Sequence, residues 1–75
     1  MTYLDVVYRY GNTPGEREMR AIDALREVYG ILLIRFDEKD RTVTVRFDAS
    51  RLKEDAVASL LRRAGIEVKD RLVLA

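Results

Sequence analysis

Seventy-five residues make one domain near the lower size limit for a single hydrophobic core, with roughly 60% of the unfolded surface buried, and leave no room for a second domain. Fourteen Lys and Arg against thirteen Asp and Glu give a net charge of +1, which supplies no electrostatic footprint for nucleic acid. There is no cysteine, hence no disulfide, and no apolar run approaches the ~20 residues of a membrane span. The opening Met1-Thr2-Tyr3-Leu4-Asp5 lacks the basic and apolar stretches of a secretory leader, so a cytoplasmic protein is expected.

From Tyr3 to Tyr10 the residues alternate. Leu4, Val6, Tyr8 and Tyr10 fall on one side and Asp5, Val7 and Arg9 on the other, the period of a half-buried strand. Thr13-Pro14-Gly15-Glu16 then fits a capping box, with the Thr13 hydroxyl at the N-cap, proline at the first helical position and Glu16 reaching back to the cap amide. Met19, Ile22, Leu25, Val28 and Tyr29 recur at helical spacing, Glu16 and Arg20 stand at i, i+4, and Gly30 supplies a stop, so a helix is predicted from about Pro14 to Tyr29.

Ile31 to Phe36 and Arg41 to Phe47 are two strand-like runs joined by Asp37-Glu38-Lys39-Asp40, a link short enough to demand a hairpin. In the second run Val43, Val45 and Phe47 point to the core, while Thr42, Thr44 and Arg46 point to solvent. Leu52, Ala56, Leu60 and Ala64, flanked by Val57 and Leu61, form the apolar stripe of a second helix that Gly65 stops. The tail from Ile66 to Leu74 reads as a fourth strand, with a bulge or bend at Lys69-Asp70-Arg71. The order β-α-β-β-α-β predicts an α+β, ferredoxin-like sandwich. Its four-stranded antiparallel sheet has both helices on one face, strands one and three central, and strands two and four at the edges.

Beyond topology, Ala24-Leu25 followed by Gly30-Ile31, the run Val43-Thr44-Val45-Arg46-Phe47-Asp48, and Leu61 followed by Ala64-Gly65-Ile66 resemble the heavy-metal-associated domain, the fold of copper chaperones. The resemblance covers nearly the whole chain. In that family a Gly-Met-x-Cys-x-x-Cys loop presents two thiolates to a soft ion. Here Gly11 falls on the glycine, Asn12 on the methionine, Pro14 on the first cysteine and Arg17 on the second. Proline has no side-chain donor and arginine stays cationic, so the family's thiolate chemistry is excluded and no metal or other cofactor is expected. The match also places Val7 and Arg9 at inward strand positions, against the alternation that favours Tyr8 and Tyr10.

The same loop, Gly11, Asn12, Thr13, Pro14, Gly15, Glu16 and Arg17, is the candidate ligand or partner loop. Amides around Gly15 and Glu16, with Arg9, Arg17 and Arg20 nearby, suit an anion, although Glu16 competes for the same amides. Asn12-Thr13-Pro14-Gly15 is similar to the turn of amino-acid-binding ACT domains. Gly11, Gly15 and Arg17 resemble the acylphosphatase loop, but Asn12 lies inside the loop and not on a neighbouring strand. With no histidine, cysteine or paired-carboxylate site, no enzyme is expected. Asp37, Glu38 and Asp40 could hold a hard cation, although a solvated turn accounts for them as well. An RNA-binding sheet needs aromatics where strand three offers Thr42, Thr44 and Arg46, which excludes it, and the four tyrosines Tyr3, Tyr8, Tyr10 and Tyr29 read as core or core-edge residues.

The open sheet face keeps Val7, Leu33 and Val73 among Arg35, Arg46 and Arg71, a candidate surface for a protein partner or a homodimer. The expectation is a small non-catalytic domain that has lost the cysteine metal site and works through protein contacts.

Overall fold

The computed structural model describes residues 2–75, so Met1 lies outside it. Its elements run β1 (Tyr3–Tyr10), α1 (Glu16–Leu25), β2 (Ile31–Asp37), β3 (Thr42–Asp48), α2 (Glu54–Arg63) and β4 (Val68–Leu74). The strands form one antiparallel sheet in the order β2-β3-β1-β4. The ferredoxin-like arrangement expected from the sequence is therefore present, including the central placement of β1 and β3.

One core lies between sheet and helices. Val6, Tyr8 and Tyr10 from β1 meet Val43, Val45 and Phe47 from β3, Ile31 and Ile34 from β2, Ile22 from α1, and Val57, Ala58 and Leu61 from α2. Tyr8 and Tyr10 thus occupy the inward positions that the family match would give to Val7 and Arg9. Tyr8 points its hydroxyl at the α2 N-terminus and donates to the Glu54 carbonyl at 3.3 Å. Burial, with the Glu54 charge beside it, holds that phenol far above its ordinary pKa.

The first helix is shorter than its apolar repeat. Gly15, extended at φ −87°, is the N-cap, and the Glu18 carboxylate accepts from the Gly15 amide at 2.7 Å. Thr13 and Glu16 are not the capping pair. Glu16 instead accepts from Arg20 at 2.6 Å. Glu18→Ala is expected to cost about 0.5–1 kcal/mol of helix stability, whereas Thr13→Ala leaves the melting temperature unchanged. Equal losses in a thermal melt would restore Thr13 as the cap.

At its other end α1 gives way after Leu25 to tight turns, in which Glu27 donates to Ala24 and Val28 to Leu25. Arg26 reaches across to the Ile34 carbonyl at 3.0 Å and ties this turn to β2. As a result Tyr29, predicted on the buried stripe, is 68% exposed, and Tyr3 is also an exposed side chain. On α2 the buried line runs through Val57, Ala58 and Leu61, with Ala56, Leu60 and Ala64 on its half-buried flanks.

Each edge strand carries irregularities. Between Ile31, opposite Phe47, and Leu33, opposite Arg46, β2 has Leu32 as an extra residue. Along β4 the register slips between Val73 and Arg71 and again before Val68, the irregularity expected around Lys69-Asp70-Arg71. Bulges at sheet edges discourage further strand addition. They leave the open face as the sheet's main uncovered surface.

Candidate functional site

The loop after β1 folds back on the chain's own groups. Gly11 donates to the Glu67 carbonyl at 3.0 Å and accepts from the Arg41 guanidinium at 2.7 Å. A Cβ on Gly11 would lie 1.6 Å from the Glu67 carboxylate, so Glu67, just before β4, and Lys69 within it crowd the loop. Three of the donors that an anion would use are engaged. The Gly15 amide serves Glu18, Arg20 pairs with Glu16, and Arg9 lies 3.8 Å from Asp70. Asn12, Thr13, Glu16 and Arg17 are exposed and Pro14 is half-buried, so the loop residues spread over the surface without converging.

The carboxylates of the β2–β3 turn do not converge either. Asp37 accepts from the Asp40 amide at 3.2 Å, and among the described residues no group of three or more Asp or Glu side chains could hold a metal ion. The turn therefore gives the hard-cation reading no support, its Asp37 carboxylate being occupied by the Asp40 amide.

The open face brings its predicted residues together. Cross-strand rows read Leu33–Arg46–Asp5, then Arg35–Thr44–Val7–Val73, then Asp37–Thr42–Arg9. Asp5 and Arg46 form a bidentate pair at 2.8 and 3.2 Å on the two central strands. Arg46's hydrogen bonds, with Arg35 adding charge, hold the Asp5 carboxyl below the usual carboxylate range. Val7 is half-buried by its neighbours, while Leu33 and Val73 are 37% and 49% exposed. Arg71 departs from expectation. It lies opposite Tyr8, on the helix side, and pairs with Glu54 at 3.2 Å because the β4 bulge turns it through the sheet edge.

A feature that the sequence did not announce lies at the opposite end of the sheet from the Gly11–Arg17 loop. Tyr3, Val28, Tyr29, Gly30, Ile31, Leu32, Asp48 and Arg51 line an open cleft of about 270 Å³. Arg51 stacks on the Tyr29 ring at 4.1 Å, and its Nε lies 3.5 Å from Asp48. Asp48, a buried residue, accepts from the Ser50 hydroxyl at 2.6 Å and the Ser50 amide at 3.0 Å. Below the 300–1,000 Å³ typical of small-molecule pockets, the cleft suits one side chain more than a whole ligand. Its residues come from three distant segments, and only the Asp48-x-Ser50 turn left a local signal.

The Ser50 hydrogen bonds, then Arg51, hold the Asp48 carboxyl below its ordinary value. Stability from Asp48 and Asp5 is present above the unfolded value of about 3.9 and is lost as pH falls through the lower folded values. The melting temperature is therefore expected to stay flat from pH 7 to about 5 and to fall below about 4. Asp48→Asn should shallow that acid limb, and an unaltered slope in calorimetry would remove Asp48 from it.

No family model, no curated protein and no solved structure matches the chain. No helix among the described residues is long and apolar enough to cross a membrane.

Proposed function

We propose that this is a small non-catalytic interaction module, a cytoplasmic relative of heavy-metal-associated domains without the thiolate site, which binds a protein through its open sheet face. The observation that carries the reading is the face itself. The exposed Leu33 and Val73 and the half-buried Val7 sit around the Asp5–Arg46 ion pair. Aliphatic side chains interspersed with charges suit a transient interface, where the apolar contacts supply affinity and the charges select the partner. The loop supports the same reading, because the Gly11 amide is taken by the Glu67 carbonyl, the Gly15 amide by Glu18 and the nearby Arg20 by Glu16, which leaves an anion fewer donors there.

The test is photocrosslinking with p-benzoylphenylalanine in place of Thr44, at the centre of the face, in cells that make the protein. A discrete adduct resolved by mass spectrometry is expected. Its absence at position 44, with equal or stronger adducts from the same probe at Asn12 or Arg17, would move the working surface to the loop.

A further inference from the structure

Resting on the reading of the sheet face as the working surface, we infer that its occupant is a second copy of this chain, related by a two-fold axis running along the seam between β1 and β3. Asp5 and Arg46 stand directly opposite each other across that seam. An axis parallel to the seam exchanges the two central strands, so each Arg46 faces the partner copy's Asp5 and each Asp5 the partner copy's Arg46. The chain's own ion pair is thus a self-complementary surface, with no like charges opposed at its centre.

The hydrogen-bonding capacity suffices. The Asp5 carboxylate takes two donors from its own Arg46 and has lone pairs for two more, and the guanidinium uses two of its five N–H groups. The same operation lays Val7 over the partner copy's Thr44, and Arg35, through its aliphatic stem, over the partner copy's Val73. Four strands of about seven residues present roughly 400 Å² of flat footprint, against the ~800 Å² per partner of a standard stable interface. The dimer is accordingly weak and concentration-dependent.

Sedimentation of the wild-type protein from about 10 µM to 1 mM should show a monomer–dimer equilibrium. Asp5→Arg leaves two arginines on the seam and Arg46→Asp leaves two aspartates, so each alone should lose association by roughly tenfold or more. An equimolar mixture of the two should recover it as a heterodimer, because the seams have become opposite in sign. A wild-type monomer throughout, or a wild-type dimer whose reversed variants do not complement each other, overturns the inference. Should a reversal fail to fold by circular dichroism, Thr44→Lys, outside the ion pair, reads the same seam, and an undiminished dimer there also overturns it. The photocrosslink separates the two levels. A homodimer adduct supports the second copy, an adduct with a different protein overturns the self-pairing alone, and no adduct at position 44 beside adducts at Asn12 or Arg17 removes the sheet face as the working surface.

Discussion

Phe47→Ala is expected to destabilise the fold by about 3–5 kcal/mol, the cost of deleting a buried phenyl and leaving its cavity. Phe47 is 1% exposed and lies on the central strand β3, opposite Leu4 on β1 and Ile31 on β2. A domain of this size has about 4–11 kcal/mol to lose. The melting temperature should therefore fall by about 15–30 °C, and urea titration at fixed pH checks the loss independently. Phe36→Ala is the control. Phe36 is half-buried at the edge strand and packs edge-on to Tyr10 at 5.6 Å, so its loss should be smaller. If Phe47→Ala cost no more than Phe36→Ala, the core would not centre on β3.

Gly30→Ala is expected to cost about 2 kcal/mol or more, far beyond a surface substitution. Gly30 has φ +102°, a conformation that L side chains rarely adopt, and a Cβ there would lie 3.0 Å from the Leu52 side chain. Its carbonyl also accepts from the Asp48 amide at 2.8 Å, so a shift of this backbone would disturb the end of β3. Gly11→Ala provides the contrast. The nearest atoms to its Cβ are the mobile ends of Glu67 and Lys69, which can swing aside, and the loss should stay within about 1 kcal/mol. Similar melting curves for the two variants would mean that Gly30's backbone relaxes freely.

Much of the fold was legible because it is written in local periodicity. The period-2 runs of β1 and β3 place Val6, Tyr8, Tyr10, Val43, Val45 and Phe47 inside without reference to any partner element. The same alternation put Val7, Arg46 and Thr44 on the open face, and the hairpin length paired β2 with β3. Local chemistry was a poorer guide at the start of α1. Thr13-Pro14-Gly15-Glu16 and Gly15-Glu16-Arg17-Glu18 both offer a glutamate three residues after a candidate cap. The choice went to Gly15 and Glu18, whose stem also packs at Gly65. At the other end, apolar spacing through Val28 and Tyr29 continued a helix that the backbone abandons after Leu25.

The sequence by itself determined the element order, the faces of β1 and β3 and the composition of the β1–α1 loop, since each depends on residue type and spacing along a short stretch of chain. Only the tertiary structure decided the rest. It paired Asp5 with Arg46, turned Arg71 toward Glu54, engaged the Gly11 and Gly15 amides with Glu67 and Glu18, and gathered Tyr3, Tyr29, Asp48 and Arg51 around one cleft. The physical reason is the same in each case. These contacts join residues brought together by sheet register, bulges and turns, and a single extra residue in an edge strand redirects a side chain in a way that no local pattern records.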